Sequence, residues 1–396
     1  RAGLWAGVLL NLGILFYFKY YDFFFENVNA VFKTDFTLRH ILLPLGISFF
    51  TFQQLSFIID RAKGKAEHYS FINYLTFVTF FPQLIAGPIV LYKEMMPQFE
   101  DTANRRFNSD QFAKGIIIFT IGLGKKVLLA DNLALPVNFG FEQNLFLDTT
   151  STLLMILAYT FQIYFDFSGY SDMAIGLGKM FNIELPINFN SPYKACSVKE
   201  LWQRWHMTLS RFFIQYVYIP MGGSRKGKAR TIFNTFMVFF LSGLWHGANW
   251  NYVLWGCYYG ALLLIEKLVL KKVLNRLPGI IQRIYTMFFV VIGWIIFKCE
   301  DMAYGISYLK AMFGGFGQGL WNNETLYLLG NYAVLFVLAI LGSTMLPKKA
   351  AGVVLGGRKR TWAENVIYIA FYAVIFFVSV AYLVDATYNP FLYFRF

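Results

Sequence analysis

The sequence predicts an all-α, multi-pass membrane protein, and three observations carry that prediction. Hydrophobic residues make up 57% of the chain and charged ones 14%, against roughly 25% charged in an ordinary soluble domain, so too few polar groups exist to cover a water-facing surface. The mean hydropathy is +0.49. Apolar runs recur at lengths near the roughly 20 residues that a helix needs to cross a bilayer core, and they are continuous rather than alternating, which argues against a β-barrel.

Taken in order, apolar segments are expected near residues 2–18, 41–59, 71–91, 112–135, 152–181, 232–245, 252–270, 284–297, 326–346 and 366–384. That gives about ten elements crossing or entering the membrane, around a central cavity. The second contains Leu43-Pro44-Leu45-Gly46 and the third Phe81-Pro82 through Gly87-Pro88, so both are expected to be kinked or re-entrant. Lipid tolerates such breaks only where protein or a wet cavity covers the backbone. The fifth holds a polar stripe, Gln162, Asp166 and Tyr170, at helical spacing. The sixth closes on Trp245-His246-Gly247. The Gly-rich stretch Phe313 to Gly319 reads as an external loop. No internal repeat is visible, which weakens an inverted-repeat transporter, and residues 1–396 read as a single membrane-embedded domain. The chain opens at Arg1 and enters an apolar segment at once, so a further segment is expected upstream.

The net charge of +13 is parcelled into loops, and topology accounts for it better than nucleic-acid binding does. Between Asn190 and Arg230 stand Lys194, Lys199, Arg204, Arg211, Arg225, Lys226, Lys228 and Arg230 against a single acid, Glu200. Lys267, Lys271, Lys272, Arg276 and Arg283 form a second basic stretch, and Lys348, Lys349, Arg358, Lys359 and Arg360 a third. The connections 247–251 and 299–324 carry few positive charges, so the three basic stretches are expected in the cytoplasm and these connections outside. Cys196, Cys257 and Cys299 are too scattered for a metal cluster or a disulfide framework, and no metal is implied.

Three groups are candidates for chemistry. His246, one of four histidines, ends a membrane-type segment, where an ionisable ring usually faces a cavity or takes part in a reaction. Trp245 and the small Gly247 are expected to shape the wall beside it and leave room for a reacting chain. Trp202, Trp205, Leu209, Phe212 and Tyr216 recur at three- and four-residue steps, predicting an interfacial helix with one aromatic face. On it His206 shares a face with Ser210, and Arg204 lies elsewhere. Asp166, near mid-membrane, needs a partner, for which Lys125 and Lys126 are candidates, and a structural ion pair is the favoured reading.

Together Leu43-Pro-Leu-Gly-Ile-Ser-Phe-Phe-Thr-Phe-Gln53, Phe81-Pro-Gln-Leu-Ile-Ala-Gly-Pro-Ile89, Gly124-Lys-Lys-Val-Leu-Leu-Ala-Asp-Asn132, Phe165-Asp-Phe-Ser-Gly-Tyr-Ser-Asp-Met173, Trp202-Gln-Arg-Trp-His206, Tyr218-Ile-Pro-Met-Gly-Gly-Ser224, Gly243-Leu-Trp-His-Gly247 and Pro390-Phe-Leu-Tyr-Phe-Arg-Phe396 resemble the membrane-bound O-acyltransferases. The closest branch contains alginate O-acetylase and the membrane component of peptidoglycan O-acetyltransferase. The resemblance implies that His246 matches the family's catalytic histidine and His206 its second functional histidine. Trp245, Trp205, Arg204 and Asp166 are carried with them as substrate-binding candidates. It implies acetyl transfer from cytoplasmic acetyl-CoA, with no bound cofactor, through a passage to a polysaccharide outside a bacterial inner membrane. A separate extracytoplasmic esterase-like transferase is implied as partner, beside the membrane lipids. Members often carry an Arg-Asp pair where this chain has Ile214-Gln215, and usually at least one more segment upstream.

The chemistry agrees with that implication. Moving an acetyl group from a thioester to a hydroxyl needs a base near neutral pH or a nucleophile able to carry the acyl group, and imidazole serves either role. Two alternatives stand beside it. One is a D-alanyl-type transferase that draws on an acyl carrier protein to serve teichoic acid. The other is a polar-lipid transporter or flippase in which His246 gates or relays protons.

Overall fold

Helix accounts for every regular element of the computed structural model, which describes residues 2–65, 70–85, 87–142, 148–315, 319–347, 349 and 361–385. Five helices are long and apolar enough to span a bilayer: Ala2–Phe32, Trp250–Leu274, Gly279–Lys298, Asn323–Ser343 and Trp362–Asp385. The first and last of these leave most of their apolar side chains uncovered, Trp5, Leu9, Phe371 and Phe377 among them, as a face turned to lipid requires.

At the centre runs Thr149–Met180, a helix of 32 residues. Asp148 starts it, its carboxylate accepting from the Ser151 N–H (2.8 Å), the Ser151 hydroxyl (2.7 Å) and the Thr325 hydroxyl. These bonds satisfy donors that a helix N-terminus leaves open. Ser109–Gly124, Asp131–Glu142, Gly279–Lys298, Met302–Met312 and Asn323–Ser343 pack around it. The approach of Ser109–Gly124 is set by glycine: a Cβ on Gly122 would fall 2.5 Å from the Gly169 carbonyl oxygen, and one on Gly169 would fall 2.7 Å from that of Gly122. One heptad away Gly115 and Gly176 repeat the arrangement, at 2.6 and 2.7 Å. Backbones this close gain dispersion energy that lipid cannot replace. Gly122→Ala should therefore destabilise the fold by about 1–3 kcal/mol through overpacking. Gly13→Ala, at an open helical position, is the control that should not. Thermal unfolding in detergent measures both, and equal stability of the two variants would contradict this packing.

Among the described residues four π turns interrupt the helices, at Phe16–Tyr20, Lys125–Ala130, Ile214–Tyr218 and Glu266–Leu270. Each carries a polar side chain that ties distant elements together. Lys126 pairs with Asp166 and Asp131 (both 2.7 Å), and Lys125 pairs with Asp172 (2.6 Å). The expected ion pair of Asp166 is thus present, with Lys126 as the partner. The Tyr216 hydroxyl donates to Asp60 (2.7 Å). Glu266 accepts from the backbone N–H groups of Val198 (2.8 Å) and Lys199 (3.1 Å), fixing the start of the short Val198–Arg204 helix.

The breaks fall where proline and glycine place them. In the second apolar segment the helix begins only at Ile47, after Gly46 turns the chain at φ +73°. The third divides into Phe71–Thr79 and the short Phe81–Leu84, followed by a non-helical stretch in which Ile89, Val90 and Leu91 are buried. Its backbone is satisfied from outside: the Ile89 N–H donates to Thr208 Oγ1 (2.9 Å), and Arg211 donates to the Ile89 carbonyl (3.3 Å). The connection after Cys299 contains a helix over Met302–Met312, capped by Asp301. One expectation is corrected. The aromatic stretch through Trp202 and Tyr216 is not one surface-lying helix; it breaks at Trp205-His206 and is buried. The third basic stretch, apart from Lys349, and the Pro390–Phe396 motif lie outside the described residues.

Candidate active site

His246 is the last residue of the Lys228–His246 helix, which packs against Trp250–Ile265 as a tight hairpin. Gly243 and Gly256 make that hairpin possible, because a Cβ on either would collide with the opposite backbone, at the Tyr252 and Phe239 carbonyls. The hairpin brings the basic residues near Lys228 and Lys271 to one end and sets His246 at the other. The imidazole lies among Trp245 (5.1 Å between ring centroids), Trp255 (4.9 Å) and Phe297 (5.3 Å). Trp245 is itself held by Phe49 and Phe52 of the Ile47–Ala62 helix.

A cleft reaches His246 and Trp245. It is small and open to the surroundings, and its other wall is the Leu43-Pro44-Leu45-Gly46 turn with Lys19 and Ser48. The wall is mostly apolar, with Lys19 and Ser48 as the polar side chains beside the imidazole, a composition common at small-molecule sites. Gly247 does not leave the expected room for a reacting chain: the Tyr252 ring fills the space that a Cβ there would need.

His206 stands on the other side of Trp245, 5.9 Å from it between ring centroids, and packs edge-on to Phe167 at 4.7 Å. It does not line the cleft. Its backbone adopts the left-handed conformation (φ 43°, ψ 54°) that ends one helix and caps the next. Holding a non-glycine residue there costs of order 1–3 kcal/mol and concentrates at sites where geometry matters. The extended chain at Asn188–Asn190 clamps the bend, with the Met207 N–H donating to the Asn188 carbonyl (3.0 Å) and the Asn190 N–H to that of Arg204 (2.9 Å).

The tautomer of His206 follows from its partner. Asn188 Oδ1 accepts from the Thr208 backbone N–H (3.3 Å) and hydroxyl (2.9 Å), which fixes the amide with oxygen on this side. His206 Nδ1, 3.1 Å from the same oxygen, therefore donates, and Nε2 carries the lone pair. That nitrogen is buried and has no hydrogen-bond partner among the described residues.

Of the residues singled out from sequence, the structure brings His246, Trp245 and His206 together and places the rest elsewhere. Trp205 is buried against Phe189, Tyr193 and Trp294. Arg204 pairs with Glu200 (2.8 Å) and donates to the Asn190 carbonyl (3.2 Å). Asp166 is engaged by Lys126, away from the cleft. Sequence reasoning missed Lys19 and Asn188. Lys19, a lone cation just past the first apolar run and inside the Ala2–Phe32 helix, was the signal that one side chain there needs a partner; no spacing pointed to the other.

Residues 39–306 match the model of the membrane-bound O-acyltransferase family. The chain belongs to that family. Among curated relatives, a peptidoglycan O-acetyltransferase from Helicobacter pylori is 42% identical over 342 residues, covering 79% of this chain and 65% of that protein. A probable alginate O-acetylase, AlgI, from Pseudomonas putida is 37% identical over 413 aligned residues, 99% of this chain and 84% of the relative. A teichoic acid D-alanyltransferase from Bacillus subtilis is more distant, 31% identical over 279 residues, 66% of this chain and 70% of that protein. The chain thus spans less than two thirds of the length of the Helicobacter relative. The family membership and the apolar helices make it a membrane protein of the acyltransferase class.

Proposed function

We propose that the protein takes an acetyl group from cytoplasmic acetyl-CoA and passes it across the bacterial inner membrane for O-acetylation of an extracytoplasmic polysaccharide, with an esterase-like transferase completing delivery outside. The observation that carries the reading is the position of His246. It stands at the end of a helix that rises from a basic stretch, on the wall of a cleft at the opposite end of that helix. In the transfer, the imidazole accepts the proton of the acceptor hydroxyl as its oxygen attacks the thioester carbonyl. The C–S bond then breaks, and the proton passes from imidazolium to the departing CoA thiolate. Acetyl moves from sulfur to oxygen, and no oxidant or metal is consumed. The Asn190–Arg230 stretch, rich in Lys and Arg, suits the phosphates of CoA. Acetyl is favoured over D-alanyl because the acetylase relatives match at higher identity and over more of the chain.

His206, behind Trp245 and within the basic segment, is assigned to the donor side. Replacement by Asn removes the ring while tolerating the left-handed backbone. His206→Asn should weaken donor use, and a substantial part of the defect should recover at high acetyl-CoA. Donor titrations of purified variants check this. A defect that no donor concentration relieves would place both rings at the chemical step.

A further inference from the structure

We infer that Lys19 is a positioning residue for His246, acting through the carbonyl groups at the end of the histidine's own helix. The inference rests on the reading of His246 as the reacting group.

An α-helix leaves its last four carbonyl groups without partners inside the helix. Many helices satisfy them with a left-handed residue that folds the chain back. Here that device is missing: Gly247 is extended (φ −168°, ψ 159°), and the chain leaves the helix without returning. The carbonyls of Leu244, Trp245 and His246 are bound instead by another element. The Lys19 ammonium donates to the Trp245 carbonyl (2.7 Å) and to that of His246 (3.1 Å), with Ser48 Oγ at 3.4 Å. The neighbouring Tyr20 hydroxyl donates to the Leu244 carbonyl (2.7 Å). Both donors are consecutive residues of the π turn Phe16–Tyr20, a feature rare within helices and enriched at functional sites.

Three consequences follow for the imidazole. Its backbone carbonyl and the one before it are fixed to a side chain 226 and 227 positions away in sequence. Lys19 sits at the negative end of the helix dipole, where donors to the last carbonyls are favoured. The ammonium also lies 6.0 Å from the centre of the Trp245 ring that separates His246 from His206. Lys19 and His246 line the same cleft, so an error in this latch is felt where the reaction takes place.

The experiment uses the full chain in detergent or nanodiscs, with Lys19→Met, Lys19→Gln and Tyr20→Phe. Two quantities are read. One is kcat and KM for acetyl-CoA from CoA release; the other is the imidazole Cε1–H resonance of His246, assigned with His246→Ala. Misplacing a reacting group by about 1 Å costs roughly 10²-fold, so Lys19→Met should lower kcat by about 10–100-fold, leave KM within about twofold and shift the resonance. Lys19→Gln keeps two N–H donors without the charge and should recover most of the kcat and the resonance position. If Lys19→Met yields no folded protein, Tyr20→Phe carries the test through a smaller shift of the same resonance. A resonance unmoved by Lys19→Met, or by Tyr20→Phe in its place, overturns the inference. Equal damage from Met and Gln would also overturn it, because donation to the two carbonyls would then not be what holds the ring in place. Loss of all turnover in the unaltered protein would count against the proposed function alone, since the resonance reports the positioning independently.

Discussion

His246→Ala is expected to lower acyl transfer by about 10²–10⁴-fold, the usual contribution of a positioned base, while acetyl-CoA still binds. The physical case is local. The ring is one wall of the cleft and packs against Trp245, Trp255 and Phe297, but it is the final residue of its helix, and the backbone carbonyl is held by Lys19. Truncation therefore removes the proposed proton acceptor without removing a helical hydrogen bond. Donor binding is assigned to the Asn190–Arg230 stretch with His206 rather than to His246, so affinity for acetyl-CoA should stay within about twofold, the pattern of an interaction made only in the transition state. Equilibrium binding and single-turnover measurements on the purified variant separate the two terms. Turnover close to that of the unaltered protein would remove His246 from the mechanism.

Lys126→Met is expected to be the most destabilising of the single polar changes, by roughly 3–5 kcal/mol, because it strips a buried ion pair of one partner and leaves the other charge uncompensated. Lys126 bridges Asp131 and Asp166 at 2.7 Å each, and the Asp166 side chain is only 2% exposed. Adding Asp166→Asn should restore part of the loss, since the stranded carboxylate is then gone. Thermal unfolding of the single and double variants measures the coupling. A single variant as stable as the parent, or a double variant no better than the single one, would contradict a structural role and return Asp166 to the list of residues that meet substrate.

Much of this was legible in the sequence because membrane segments are written in composition. The helical class and the breaks at Pro44-Leu45-Gly46 and Pro82 all follow from length, hydropathy and residues with restricted or unusual backbone freedom. His246 stood out as a candidate because an ionisable ring at the end of an apolar run is costly to bury. The rest was hidden for physical reasons. The stripe from Trp202 to Tyr216 has helical spacing, yet a left-handed residue at His206 divides it, and that conformation is imposed by the Asn188–Asn190 chain from outside the segment. The four π turns change no hydropathy pattern, so nothing in the first apolar run announced that Lys19 and Tyr20 would close the end of a helix more than 200 positions away. Gly247 was misread for a related reason: its small size serves the Tyr252 ring, and that contact depends on how the hairpin folds.

The central claim is that acetyl passes from a donor on the basic face to an acceptor on the other side. Proteoliposomes of known orientation, given acetyl-labelled CoA on one face and the esterase-like partner with its glycan on the other, test it most directly. The account predicts release of free CoA and appearance of label on the acceptor side, only when the donor is supplied at the face carrying the Lys226 and Lys271 stretches, and loss of both signals in His246→Ala. Absence of CoA release from either face, with partner and glycan present, would contradict it.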